Sequence, residues 1–521
     1  MTQRLSKMVR HAMTMMIGTF TSRILGLIRE ILTAALFGAS RQLDAFYVAY
    51  TLANLSRQLL AEGALSAAFV PVFSQTLYRD GKERAKHLAK QACSVLLIAG
   101  SLVVTLGIIF SPFLVKLLAP GFDPEKASMA IVMTRLMFPF LLFVSLAALA
   151  MGVLNSLDNY FIPAVAPALS NVVFIILVLA LTSYSGIWSL TIAVLCGGVC
   201  QFVLQWFWTG KEGIPLLPVL PEKNDRELKK MLTLFIPYAA GLSLNQINPV
   251  ISRMLGSFLM DGAISVLNYS NRIIQLPLGL FVIAISQAIL PELSRCSLEE
   301  KGVFGDLMTD CLKFTLFIVM PATIGLVLIS EEMVNILFYR GAFGIWAWKA
   351  TSSSLAMYTL GLPGMACTTV LLRGLYAQGM PRAAVMVTLS SVFSNLFFSL
   401  ALIKPLSFNG LALATSLAFT VSAVFGGLLL SKHLQGKLKQ FGFLWSLKLL
   451  LSVFLMSVLI LFTKKMIPFH SDWTLTLRCA WLLGIILASA VCYGIITWFF
   501  SFDEWHWIMG ALRKRPPSRE E

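Results

Sequence analysis

The chain has 521 residues, of which 57% are hydrophobic and 13% are charged, with a formal net charge of +16. Soluble proteins carry about 25% charged residues, so this composition excludes a cytosolic enzyme, a disordered protein and a secreted disulfide scaffold. A mean hydropathy of +0.80 over the whole chain cannot come from a single membrane anchor. The chain is therefore predicted to cross a membrane many times, each crossing segment satisfying its own backbone hydrogen bonds.

Fourteen apolar segments are long enough to cross a bilayer, which takes about 20 residues. Their length and their lack of alternation exclude a β-barrel and predict an all-α polytopic membrane protein. The basic N-terminal end resembles a signal peptide, but Arg23, Arg29 and Glu30 interrupt the apolar run, so it is predicted to be retained as the first segment. We call the segments spans 1 to 14; they cover residues 12–37, 44–76, 90–118, 127–155, 160–182, 186–208, 230–258, 263–293, 312–338, 349–377, 383–403, 409–431, 443–463 and 476–500.

Lysine and arginine are distributed unequally between the two sets of connections. The connections on the side of both termini hold 24 of these residues, and the connections on the opposite side hold eight. Because cytoplasmic loops are enriched in lysine and arginine, both termini are predicted to lie in the cytoplasm. The same asymmetry explains the positive net charge, so nucleic acid is not an expected partner.

The longest polar connection separates two groups of six spans with similar motifs. The segment 68–74 resembles 288–294, at an offset of 220, and Ser170-Asn171 resembles Ser394-Asn395, at an offset of 224. Two halves of six spans share one orientation, as in transporters whose substrate site lies between parallel repeats. The predicted domains are an N-terminal six-helix bundle at 1–208, a cytoplasmic linker at 209–229, a C-terminal six-helix bundle at 230–436, an extra helix pair at 437–505 and a basic cytoplasmic tail at 506–521.

Polar residues recur at steps of three and four in four spans, and these spans are the equivalent ones of the two halves. Such steps place each set on one helix face. A charge at the bilayer centre costs at least about 2.5 kcal/mol, so these faces are predicted to line a hydrated cavity rather than to face lipid. The candidate residues are Arg23, Arg29 and Glu30 in span 1; Asp44, Asn54, Arg57 and Glu62 in span 2; Asn245 and Asn248 in span 7; and Asn268, Arg272 and Gln275 in span 8.

The charges of this predicted cavity favour an anionic substrate. Four deep arginines face three carboxylates, those of Glu30, Asp44 and Glu62, which leaves the cavity cationic or its charges imperfectly paired. A guanidinium group binds phosphate or carboxylate through a fixed fork of donors and stays charged at physiological pH. The alternative is that the arginines pair with these three carboxylates and only hold the helix bundle together.

Motifs of enzyme chemistry are missing from the sequence. It contains no Walker A motif, no G-x-S-x-G and no H-E-x-x-H. The eight cysteines and five histidines are scattered, so no metal, cofactor or catalytic residue is expected. A transporter is favoured over a membrane enzyme and over a channel, and it is expected to be monomeric.

Several of the polar segments resemble motifs of the MurJ (MviN) lipid II flippases of the MOP exporter superfamily. The stretch from Ser22 to Glu30 is similar to the first-span motif of that family. The stretch from Ala61 to Pro71, AEGALSAAFVP, is the most specific match, and Tyr269-Ser-Asn-Arg272 continues it. The resemblance covers essentially the whole chain, including all fourteen spans.

The resemblance implies a flippase that moves the undecaprenyl-diphosphate-linked peptidoglycan precursor, lipid II, from the cytoplasmic to the outer leaflet of the bacterial inner membrane by alternating access. Its partners would be this lipid-linked precursor and membrane lipids. Arg23, Arg29, Arg57 and Arg272 would contact the diphosphate and head group. Asp44 would lie near the outer gate, and spans 13 and 14 would form a groove for the lipid tail.

The sequence departs from the family pattern at four positions. Gln58, Asn271 and Gln275 stand where members often carry an arginine or an acid, and Glu30 stands where many have Asp. The loss of acids leaves Arg272 less neutralised.

Two alternative cargoes stay open. One alternative is an exporter of another polyprenyl-diphosphate-linked saccharide, which differs in the head group. The other is a drug exporter, but a cavity for cations should present acids rather than four arginines.

Overall fold

The computed structural model describes residues 2–57, 64–222, 224–296, 301–436 and 441–513. The secondary-structure elements among these residues are all helices, without a strand. The chain divides into two compact units, the first made of Met1–Ser265 and Arg340–Phe343, and the second of Val266–Tyr339 and Gly344–Glu521. This division falls inside predicted span 8, and the predicted domain boundaries stay predictions.

The first unit is built around one long helix that carries predicted span 4. This helix, α6, contacts α2, α4 and α8, and 72% of its most apolar stretch is buried. The helices of the unit are α1 (Thr2–Phe37), α2 (Arg41–Arg57), α3 (Ala64–Arg79), α4 (Gly81–Ile109), α5 (Ser111–Leu118), α6 (Pro124–Ser156), α7 (Phe161–Ser185), α8 (Trp188–Lys211), α9 (Arg226–Ser243) and α10 (Ile247–Gly256).

The second unit packs its helices around α16, which contacts α12, α13 and α17, while α18 and α19 pack against each other and against α13. A π-helical segment, Leu278–Val282, separates α11 from α12 within predicted span 8. The helices are α11 (Ala263–Pro277), whose first turn belongs to the first unit, α12 (Ile283–Cys296), α13 (Lys301–Leu328), α14 (Ser330–Phe338), α15 (Ile345–Thr359), α16 (Leu362–Ala377), α17 (Pro381–His433), α18 (Phe443–Met466), α19 (Leu475–Phe499) and α20 (Asp503–Arg513).

Small residues allow close helix packing in both units, as is common in membrane proteins. In the first unit, a Cβ atom on Gly197 would lie 2.7 Å from the Oγ of Ser170. In the second unit, a Cβ atom on Gly364 would lie 2.7 Å from the backbone N of Thr420. Because backbone cannot move aside as a flexible side chain can, only glycine fits at position 364.

Two turns recur at the same spacing in the two halves of the sequence. Ser407 interrupts α17 with φ 52° and ψ −132°, which separates predicted span 11 from span 12. Gly186, which is 221 residues earlier and follows the last residue of α7 at the start of predicted span 6, has φ 53° and ψ −130°. Asp158 and Gly379 form a second pair at the same offset, with φ 61° and 66°. These backbone correspondences agree with the repeat that the sequence motifs predict.

The apolar helices confirm the all-α membrane fold. Within the described residues, eight helices are long and apolar enough to cross a membrane, or nine if the bent pair α15 and α16 is one span. Predicted spans 1, 2, 7 and 8, which carry the polar stripes, are not among them. Within the described residues, spans 7 and 8 are divided into shorter helices. The number of fourteen spans stays a prediction.

Candidate functional site

Arg29 is held in the first unit by a carboxylate and two aromatic rings. Its Nη2 lies 3.0 Å from Oε1 of Glu30, the neighbouring residue on α1. The guanidinium carbon lies 5.2 Å from the ring centre of Phe174 and 5.9 Å from that of Tyr50. Aromatic faces attract a guanidinium at such distances. The alternative in which arginines pair inside the bundle therefore applies to Arg29.

Glu30 is buried and connects span 1 to span 2. Its Oε2 accepts a hydrogen bond of 3.0 Å from the hydroxyl of Tyr47 on α2. Arg29 also approaches Oδ1 of Asn171 on α7, at 3.5 Å. Three helices of the first unit thus meet around one ion pair, which positions the Arg29 side chain.

The other two arginines of the first unit lie in different surroundings. Arg57 is half-buried at the end of α2, and its Nε donates a hydrogen bond of 2.8 Å to Oδ1 of Asn54. Arg23 has an exposed side chain on α1. Glu62, the third carboxylate of the predicted cavity, lies outside the described residues.

Arg272 belongs to the second unit and is half-buried on α11. Its Nη1 donates to Oε1 of Gln275 at 3.5 Å. Within the described part of the chain, no carboxylate forms an ion pair with it. That neutral residues at positions 271 and 275 leave Arg272 less neutralised stays a prediction.

The remaining candidate asparagines lie on spans 7 and 8. Asn248 on α10 and Asn268 on α11 are both half-buried. Asn245 lies on the 3-10 turn Leu244–Gln246 that joins α9 to α10, and its side chain is outside the described part.

Asp44 forms the most completely bonded charged cluster in the first unit. Its side chain is 1% exposed, and its Oδ2 lies 3.0 Å from Nζ of Lys126, which is 4% exposed. Oδ2 also accepts from the backbone N–H of Gly262 at 2.7 Å. Oδ1 accepts from the backbone N–H and from the hydroxyl of Ser265, at 2.8 and 2.7 Å. Asp44 of span 2 therefore caps the first turn of α11, which begins span 8.

Lys126 and Arg41 extend this cluster with further ion pairs. Nζ of Lys126 lies 2.8 Å from Oδ1 of Asp261, and Nη1 of Arg41 lies 3.6 Å from the other oxygen of the same carboxylate. Arg41 also pairs with Asp123, the N-cap residue of α6. The backbone N–H of Lys126 and the Arg41 guanidinium hold the pKa of Asp123 below its ordinary value.

From the sequence, Lys126 and Arg41 are only two of the eight basic residues in the connections opposite the termini, and their partners were not predicted. A local pattern could have indicated Lys126. It is the third residue of α6, after the Asp123-Pro124 start of the helix. A helix N-terminus disfavours cations, so a lysine in the first turn requires a carboxylate partner. Nothing in the sequence says that this partner is Asp44, which is 82 residues earlier.

An apolar cavity of about 570 Å³ lies in the second unit. It is lined by residues of α11, α13, α18 and α19, including Pro321, Met456 and Tyr493. Ile273, the neighbour of Arg272 in the sequence, also lines it. A chain of hydrocarbon character fits such a lining, because burial of apolar surface is favourable.

Comparisons with known proteins identify the family. The model of the family described as lipid II flippase MurJ matches residues 33–501. The chain belongs to the MurJ family. It is 32% identical over 518 residues to a probable lipid II flippase MurJ of Rhizobium tropici, covering 96% of both chains. It is 30% identical to a probable MurJ of Haemophilus influenzae over 496 residues, which cover 91% of this chain and 96% of that one.

Solved structures agree with the family. A lipid II flippase MurJ in an inward closed conformation matches with a TM-score of 0.79 at 28% identity, covering 93% of this chain and 98% of that one. An inward-facing MATE multidrug transporter of the MOP superfamily matches with a TM-score of 0.70 at 17% identity, covering 84% of this chain and 100% of that one. The second match shows the shared fold alone.

Membership of the MurJ family confirms several predictions made from the sequence. The chain is a member of a lipid II flippase family and a transporter, not an enzyme. It is a multi-pass protein of the inner membrane, and a lipid-linked precursor is the class of substrate that the family implies. The roles of individual residues and the orientation of the termini stay predictions.

Proposed function

We propose that this protein moves the undecaprenyl-diphosphate-linked peptidoglycan precursor from the cytoplasmic to the outer leaflet by alternating access. Family membership supports the cargo. The observation that supports the mode of binding is the environment of Arg272, whose hydrogen-bond partner is the neutral amide of Gln275. A half-buried guanidinium without a carboxylate partner is suited to an anion that arrives with the substrate.

The diphosphate is proposed to contact Arg23, Arg29, Arg57 and Arg272. Each phosphate presents oxygens that accept paired N–H donors, and such charge-assisted bonds are about twice as strong as neutral ones. Arg57 donates one of its N–H groups to Asn54, which orients the guanidinium. Arg29 keeps its ion pair with Glu30, so it contributes a positioned donor but little net charge.

The lipid tail is proposed to lie in the apolar cavity of the second unit. Ile273, the residue after Arg272 on α11, lines this cavity. A diphosphate held by Arg272 would therefore bring its isoprenoid chain to the helix that supplies part of the apolar lining. Residues of α18 and α19 in that lining support the tail-binding role implied for spans 13 and 14.

Asp44 is proposed to belong to the outer gate, together with Lys126. Separation of span 2 from the start of span 8 would break the bonds of Asp44 to Gly262 and Ser265. A buried carboxylate that loses its donors is costly, so water or another donor must replace them for the gate to open. The cluster would then favour the closed outer side in the absence of cargo.

Both termini and the linker are proposed to face the cytoplasm, because the connections on their side hold 24 lysines and arginines against eight. Single cysteines in a cysteine-free background test this orientation. Exposed Pro120 and Leu406 should label from outside with an impermeant thiol reagent as P120C and L406C, whereas exposed Leu220 should not as L220C. Labelling of L220C from outside intact cells would contradict the orientation.

Complementation of a conditional flippase mutant tests the function. The wild-type chain should restore growth and prevent accumulation of the lipid-linked precursor, and Arg272→Ala should do neither at equal membrane levels. Failure of the wild-type chain to prevent accumulation would contradict the proposed cargo. Full rescue by Arg272→Ala would leave the cargo in place and contradict the role of the arginine.

A further inference from the structure

The linker between the two groups of spans is fixed to α4 at several points. The backbone N–H of Val219 donates to Oγ of Ser94 at 2.7 Å. Nε1 of Trp206 donates to the carbonyl oxygen of Leu216 at 3.2 Å, which holds the linker near the end of α8. The linker thus runs along α4 rather than projecting from it, and it brings acidic residues beside one face of that helix.

Four side chains with metal-binding atoms converge where the linker passes α4. His87 and Gln91 lie four residues apart on α4 and therefore on one face of the helix. Glu222 and Asp225 come from the linker. The candidate ligand atoms of His87, Glu222 and Asp225 all lie within 4.8 Å of one another. Oε1 of Glu222 is 3.1 Å from Nε2 of His87.

Gln91 lies next to His87, and its amide offers a fourth candidate ligand once it is rotated. Its side chain is fully buried, and its Oε1 has no hydrogen-bond partner. Its Nε2 lies 2.9 Å from Nε2 of His87. The same imidazole nitrogen cannot accept from this amide while donating to Glu222, because it carries either a lone pair or a proton. The three groups therefore conflict as they stand.

A cation removes this conflict. The imidazole lone pair and the carboxylates can all point toward a positive ion, and a rotation of the Gln91 amide turns its unpartnered oxygen toward the same ion. The surrounding charge permits it, since Asp225 and Glu227 share the single guanidinium of Arg84, at 2.7 and 2.6 Å.

We propose that His87, Glu222 and Asp225, with the amide oxygen of Gln91, bind one divalent transition-metal ion and so fasten the linker to α4. One imidazole nitrogen with oxygen ligands is a donor set that Zn²⁺ accepts. Glu222 is 61% exposed and His87 is 34% exposed, so an ion can enter from solvent. The site lies within the first unit and does not depend on which lipid the protein carries.

Titration of the purified, full-length protein with Zn²⁺ tests the site, in competition with a chromogenic chelator after removal of metal. The wild type should bind one Zn²⁺ tightly. His87→Ala and Glu222→Gln should each weaken binding at least about tenfold, since even groups outside the ligand set change metal affinity by that much. Glu83→Gln, on the same helix and exposed beside Lys86, is the matched acidic control and should bind as the wild type does. His470→Ala is the matched histidine control.

Co²⁺ provides a second readout that reports the ligands themselves. Its visible absorption should change on binding to the wild type and to both controls, and this change should be absent in His87→Ala. Glu222→Gln alters an exposed side chain, so it replaces His87→Ala as the test variant if His87→Ala fails to fold. A wild type that binds no Zn²⁺, or binding that persists equally in His87→Ala and Glu222→Gln, would overturn the proposal. The contact between His87 and Glu222 would then be an ordinary ion pair.

Discussion

The buried charge of Asp44 and the half-buried charge of Arg272 have opposite surroundings. Asp44 has bonds to both oxygens from Lys126, Gly262 and Ser265, and almost no exposure. Arg272 has a long hydrogen bond to an uncharged amide. Both lie on the polar stripes that the sequence revealed, so the stripe pattern alone does not separate them.

We propose that this difference reflects two functional roles of charged residues. A charge whose partners all belong to the protein stabilises one arrangement of the helices. A charge left without an opposite partner destabilises the resting state and gains its partner when an anion binds. Arg29 is intermediate, since it has a carboxylate partner in Glu30 but lies among residues of the candidate site.

Removal of Lys126 should have the largest effect on stability. Lys126→Met leaves the Asp44 carboxylate buried without its cation, and breaking a buried ion pair typically costs about 3–5 kcal/mol. We expect about 3 kcal/mol, because Gly262 and Ser265 still donate to Asp44. The free energy of unfolding in detergent, measured by denaturant titration, checks this value.

Two further variants control that experiment. Lys116→Met removes an exposed lysine of the same unit and should change the unfolding free energy by less than about 0.5 kcal/mol. Asp44→Asn combined with Lys126→Met should be more stable than Lys126→Met alone, because no buried charge is left. Equal losses for Lys116→Met and Lys126→Met would show that the cluster does not hold the helices.

Removal of Arg272 should have the opposite effect to removal of Lys126: transport is lost, and the free energy of unfolding is kept. A hydrogen bond to a charged group contributes about 1.5–3 kcal/mol, so Arg272→Ala should lower transport about 10- to 100-fold. Arg272→Lys should also be impaired, since it keeps the charge but loses the fork of donors. Precursor accumulation at equal membrane levels is the measurement, with the exposed Arg382→Ala as control. Wild-type transport by Arg272→Ala would make this arginine dispensable.

Loss of the Tyr47 hydroxyl should have a smaller effect. Tyr47→Phe removes one hydrogen bond to the buried Glu30 carboxylate and should lower the unfolding free energy by about 1 kcal/mol. Introducing Tyr47→Phe into a Glu30→Gln background should cost less than this, because the charged acceptor is already gone. Equal costs in both backgrounds, measured as a double-mutant cycle, would mean that the hydroxyl and the carboxylate do not interact.

The positions of the helices and the family could be predicted from the sequence, because both depend on local sequence patterns. Hydropathy located the helices, and the segment from Ala61 to Pro71 pointed to the family before any geometry was known. The break between spans 11 and 12 was also correctly placed, and Ser407 lies within it.

Ion pairs and hydrogen bonds between residues far apart in the sequence could not be predicted, because no local pattern indicates which residues meet in the fold. The sequence offered Glu30, Asp44 and Glu62 as partners for arginines, yet Asp44 pairs with a lysine 82 residues away. The contacts of the linker with His87 and Ser94 likewise join residues more than 100 positions apart. Only the fold decides which charges have an oppositely charged partner within the protein and which do not.

Binding of undecaprenyl diphosphate without its saccharide tests this distinction most directly. Affinity is measured for the wild type, Arg272→Ala and Arg382→Ala, each purified and shown to unfold at similar denaturant concentrations. We predict that Arg272→Ala binds at least about tenfold more weakly than the wild type, while Arg382→Ala is unchanged. Equal affinity of Arg272→Ala and the wild type would contradict the claim that the uncompensated arginine holds the diphosphate.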